Sequence, residues 1–198
     1  MTLRLVAVYL LLAALAMGAT MSETTKTERS LDEMVALMAR ARAGGLVGIA
    51  RKTRPVDARP ARATEVVVTV IAGEGKETQS RPAREGDWVV RNRCPETGNE
   101  QYLVGGDKFG ERYRAAGLPP GADGWQEFQP VGKDLRFLVL PAEEGAFSFT
   151  APWGEAMVAR PGDAILQDPQ DEKDVYRVAA ASFACTYEVV TPAERTRP

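Results

Sequence analysis

A chain of 198 residues with 44% apolar and 26% charged residues has room for one globular domain or two small ones. Its formal net charge of −2 leaves no whole-chain basic field for gripping phosphates, which disfavours nucleic acid as a partner. With no histidine and only two cysteines, it excludes Ser-His and Cys-His nucleophiles, imidazole metal sites and four-cysteine knots, and neither a metal nor a cofactor is expected.

In chain order, residues 1–20 come first, with one early Arg4, an apolar run from Leu5 to Ala19 and an Ala-x-Ala at Ala14 to Ala16. That is the outline of a secretory signal peptide or anchor, and membrane contact is expected only through residues 5–19. Met21 with the polar "SETTKTERS" offers an alternative start, and a chain beginning there is expected in the cytoplasm rather than exported or anchored. Ser30 and Glu33 make a capping box, and Gly44 and Gly45 a stop, so a helix is predicted from about Leu31 to Ala43. Its stripe of Leu31, Met34, Val35 and Met38 docks on the body, with a protein partner as the second reading.

Arg40 to Arg62 holds seven basic residues (Arg40, Arg42, Arg51, Lys52, Arg54, Arg59, Arg62) against Asp57, and Pro55 and Pro60 interrupt it. It reads as a solvated connector. Strands are predicted at "EVVVTVI", "DWVVRN", "EQYLV", "LRFLVL", "AFSFTA", "DAILQ", "VYRVA" and "TYEVV". "GGDKFGERY" reads as a helical turn capped by Asp107, and "GLPPGADG" as a linker.

Two stretches share one pattern. Gly86-Asp87 and Gly162-Asp163 lie 76 residues apart, while Tyr102, Phe109 and Tyr113 lie 74 residues before Tyr176, Phe183 and Tyr187. The difference falls in two variable turns, where a change of loop length costs little. The expected architecture is α+β and mainly antiparallel, two tandem pseudo-repeats of a small β-rich unit plus an N-terminal helix. The layout is a signal-like segment at 1–20, helix and Arg/Pro arm at 21–62, first repeat at 63–117, linker at 118–134, second repeat at 135–191 and tail at 192–198. Each unit is of a size at which core burial is marginal, so the two are expected to share a core.

"REGDWVVRN" and "RPGDAILQD", each leading to a Tyr and then to Phe and Tyr, resemble small bacterial and phage-associated proteins built on a PGDYG-like or GDW-type motif. "RKTRPVDARPA" matches the basic-Pro lead, Gly86, Asp87 and Trp88 the motif, Glu100 and Tyr102 the Glu-x-Tyr pair, and Phe109 and Tyr113 the close. The second copy keeps Pro161, Gly162 and Asp163 but has Ala164 for the aromatic and Asp174 before Tyr176. The resemblance spans Arg51 to Val190 and implies no assigned activity, and it favours a cytoplasmic location.

Candidate chemistry follows from the pattern. Asp87 and Asp163, joined by Glu155, are the candidates for carboxylate acid/base work in a small hydrolase; otherwise the two aspartates cap their own turns. Trp88, Tyr102, Trp125 and Trp153 are the candidate ligand contacts, and core packing is the competing reading of such aromatics. Cys94 and Cys185 are expected to be unconnected thiols, with Cys94 inert. The leading functional expectation is a non-enzymatic binding or interaction module with a groove between its duplicated halves.

Overall fold

A computed structural model describes residues 27–196, so the signal-like segment lies outside the described residues. A short strand β1 (Thr27–Arg29) leads into helix α1 (Leu31–Ala43). The Ser30 side chain accepts from the Glu33 amide, and the Glu33 carboxylate accepts from the Ser30 amide, closing the capping box. Met34, Leu37, Met38 and Ala41 are the buried face of α1, so the helix docks on its own body.

One unit then follows: β2 (Val47–Lys52), β3 (Val56–Pro60), a hairpin of β4 (Val68–Ile71) and β5 (Gly75–Gln79), β6 (Trp88–Asn92), β7 (Gln101–Val104), helix α2 (Gly106–Arg112) and β8 (Tyr113–Ala115). The same series returns as β9 (Gln126–Pro130), β10 (Asp134–Val139), a hairpin of β11 (Phe147–Thr150) and β12 (Ala156–Ala159), β13 (Ala164–Asp168), β14 (Asp171–Val178), α3 (Ala180–Thr186) and β15 (Tyr187–Thr191). The fold is α+β and dominated by antiparallel sheet.

The two five-stranded sheets are built reciprocally. One runs β7-β6-β3-β9-β8 and the other β14-β13-β10-β2-β15. Each unit lends its first strand to the other's sheet: β2 sits between β10 and β15, and β9 between β3 and β8. Registers agree to the residue. Val56 pairs with Phe128 and Tyr113 with Pro130 in one sheet, as Leu135 pairs with Ala50 and Tyr187 with Lys52 in the other. Lys52 and Pro130 are therefore equivalent positions, as are Ala50 and Phe128.

Several expectations change, the shared core among them. The supposed connector, residues 40–62, holds β2 and β3, and the supposed linker, 118–134, holds β9. Alternation decides this: in "VGIARK" Gly48 and Ala50 turn inward, and the outward arginines are taken up by acids, Arg51 by Asp134 at 2.6 Å and Arg59 by Glu65 at 2.6 Å. Asp107 lies in the first turn of α2, but the cap is Gly105 and no side chain bonds there. Cys94 and Cys185 are joined by a disulfide with Cα atoms 6.3 Å apart, which ties the β6–β7 connection to α3. The two halves have separate apolar clusters, one around Val56, Val90, Phe109 and Phe128, the other around Phe137, Phe147, Leu166 and the α1 methionines.

Candidate functional site

The two Gly-Asp turns are built alike. Gly86 and Gly162 both take positive φ, 84° and 92°, which suits glycine and turns the chain into β6 and β13. Asp87 Oδ2 accepts from the Arg84 amide at 2.8 Å, and Asp163 Oδ2 from the Arg160 amide at 2.8 Å, so each carboxylate closes its own turn. Burial works to raise the Asp87 carboxyl, but bonds from Arg81 and the Arg84 amide hold it below its ordinary value. Asp163 also accepts from Arg177 Nε at 2.8 Å and from the Ala180 amide at 3.2 Å. Asp87 and Asp163 share no hydrogen-bond partner, and neither lines the cavity described next.

Of the candidate aromatics, Trp88 stacks on Phe109 at 4.3 Å with planes 4° apart and meets Phe128 edge-on, which places it in packing. Trp125 lies beneath Arg91, 4.3 Å from the ring centre, and Arg59. Tyr102, Trp153 and Glu155 do come together, in the wall of a cavity of about 360 Å³. Glu155 is buried and its carboxyl is raised by that burial, against the pull of a Trp153 hydrogen bond and of Arg81.

The cavity sits on the seam between the units, and its wall comes in matched pairs. Tyr102 faces it with its counterpart Tyr176, Tyr113 with Tyr187, and Arg112 with Thr186. A second cavity of about 420 Å³ shares Lys52, Arg112, Asp174 and three of the tyrosines, so this cluster separates two lobes. Each unit closes a tyrosine pair, Tyr102 and Tyr113 with hydroxyls 3.0 Å apart, Tyr176 and Tyr187 at 3.5 Å. Burial raises the Tyr102 and Tyr187 hydroxyls well above their ordinary value, so both hold their protons at neutral pH.

Lys52 occupies the centre. It ends β2 on the inward face shared with Gly48 and Ala50, and its Nζ lies 5.4 Å from the Tyr102 ring and 5.8 Å from the Tyr187 ring. Nζ donates to Asn92 Oδ1 at 2.8 Å and bonds the Tyr102 hydroxyl at 3.0 Å, both neutral oxygens. Asn92 is oriented from behind, since its amide nitrogen donates to Glu100 Oε1 at 2.7 Å and Thr97 donates to the other Glu100 oxygen. Desolvation, reinforced by the Arg112 charge and only partly offset by Glu100, lowers the Lys52 amine to about 7. Lys52 lines both cavities. Across the seam, Asp174 holds Arg112 at 3.0 Å and Lys108 at 3.6 Å.

Lys52, Asn92 and Arg112 were missed from sequence, and Tyr113, Tyr176 and Tyr187 were read only as repeat anchors. The available signal was parity: two residues beyond Ala50 on one strand, Lys52 shares its face. Among the described residues no group of three or more His, Cys, Asp or Glu side chains could hold a metal ion, and no helix is long and apolar enough to cross a membrane. No protein-family model matches the chain, and no curated protein or solved structure is detectably similar to it.

Proposed function

We propose that the protein is a binding module whose ligand occupies the seam between its two units. One observation carries this reading: a cavity of about 360 Å³ whose wall is assembled from equivalent residues of both units. That volume suits a small organic molecule, as do walls of aromatic and aliphatic side chains with a few convergent polar groups. Trp153, 37% exposed at the cavity and 5.7 Å from Tyr176, supplies a flat apolar surface, while Lys52 and the tyrosine hydroxyls supply orientation. The test is a thermal-shift screen of the full chain against small organic molecules, because any ligand of the native state raises apparent stability. The expected result is a hit that Trp153→Ala and Tyr102→Phe both weaken. A screen whose hits are unaffected by either change removes the seam from the function.

The location consistent with this reading is an exported one. The Cys94–Cys185 bridge is the observation that favours it, since such bonds persist in oxidising compartments, and the signal-like run at residues 5–19 agrees. Blocking free thiols at lysis, followed by intact mass, tests it: an unmodified, oxidised chain is expected, and a doubly alkylated one contradicts export.

A further inference from the structure

We propose that Lys52 is an amine nucleophile and that the seam ligand is a carbonyl compound, an aldehyde or ketone, held as an imine on its Nζ. The proposal rests on the seam cavity being the ligand site. Three features of the geometry support it.

The amine departs from the internal symmetry. The seam tyrosines have tyrosine counterparts, Tyr102 with Tyr176 and Tyr113 with Tyr187, yet opposite Lys52 stands Pro130, so the repeat fold has no need of an amine there. Its neighbours also differ from what an ion pair would use. Asn92 occupies the position equivalent to Asp168, and Asp168 in the other unit does bind a lysine, Lys133. Beside Lys52 the carboxylate is replaced by an amide, and the nearest acid, Glu100, spends its oxygens on Asn92 and Thr97. Finally, the hydroxyls needed for proton movement are in contact with the amine: Tyr102 lies 3.0 Å from Nζ and 3.0 Å from the Tyr113 hydroxyl.

The charged and titratable groups facing Nζ are Glu100 and Tyr102 from the β7 side, Arg112 from α2 and Tyr187 from β15. Arg112 repels a cationic amine, and the buried setting does the same, which leaves the lone pair free near neutral pH. The Nζ lone pair then bonds to the carbonyl carbon while the π pair moves onto oxygen, which takes the Tyr102 proton. Nitrogen returns one proton to Tyr102. Departure of the hydroxyl with the second nitrogen proton, as water, leaves the C=N bond. Amine plus carbonyl gives imine plus water, with no change of oxidation state.

The full chain at pH 7, treated with benzaldehyde and cyanoborohydride and then mapped by peptide mass spectrometry, tests this. Lys52 is expected to be benzylated on the order of a hundredfold faster than the exposed Lys76 and Lys173. Equal rates overturn the proposal. Asn92→Asp sets a carboxylate beside the amine and is expected to slow Lys52 labelling roughly tenfold while the exposed lysines are unchanged; an unchanged Lys52 rate also overturns it. Benzyl alcohol, similar in shape but without a carbonyl, separates the two readings. If it raises the melting temperature while Lys52 labels no faster than the surface lysines, the imine fails and the seam site stands; if neither probe acts on the seam, both fail.

Discussion

The two halves share a backbone plan but fill it differently. In the first, Trp88 and Phe128 pack around Phe109, and Ala58 lies opposite. At the equivalent positions the second has Ala164 and Ala50, but Phe137 replaces Ala58 and meets Phe183 at 5.2 Å. Aromatic bulk has moved from one strand to another, and α1 closes what remains. A close-packed core tolerates such exchanges when total volume is kept, so the plan lies in register and turns rather than in any one large side chain. The turn carboxylates diverge too. Asp87 meets Arg81, whose side chain is 28% exposed, while Asp163 meets Arg177, a wholly buried guanidinium that also binds Glu74 and Glu77 from the hairpin of the other unit.

The largest expected effect comes from separating the halves covalently. Replacing Cys94 and Cys185 by serine opens a loop spanning 91 residues and is expected to cost about 4–5 kcal/mol in urea denaturation. The next contrast is between the turns. Arg177→Met strands three buried or partly buried carboxylates and is expected to cost about 4 kcal/mol, whereas the first-unit counterpart test, Arg81→Met, costs about 1 kcal/mol; equal losses would erase the asymmetry.

A third contrast is a pH dependence. The folded Lys52 amine titrates near 7 and the unfolded one near 10.5, so across that window the unfolded chain binds more protons and stability rises with pH. Lys52→Met is expected to flatten the curve between these limits; an unaltered slope would assign the dependence elsewhere. Smallest is the cap of α1, the helix that packs on the apolar cluster of the second half. Ser30→Ala is expected to cost about 1 kcal/mol, seen as a shift in the urea midpoint.

Much of the fold was legible because its signals are local. The capping box at Ser30, the apolar, β-branched run in "DWVVRN" and the matched Gly-Asp turns each act over a few residues. The strand exchange was not legible. β2 and β9 hold charged or proline residues, and what makes them strands is the partner that receives them. The disulfide escaped for a related reason: Cys94 and Cys185 occupy positions that are not equivalent in the two units, so the repeat gave no hint that they meet. In the site, Tyr102, Trp153 and Glu155 were found by residue type, while Lys52 was hidden in a run of surface arginines.

The exchange of β2 and β9 has a consequence for recognition itself. Two identical chains trading strands would build a seam with identical edges, and a ligand there could sit either way round. Joined in one polypeptide, the edges are free to differ, as Lys52 against Pro130 and Asn92 against Asp168 do. Under the proposed function, ends that differ in this way would give the seam a direction and its ligand one orientation.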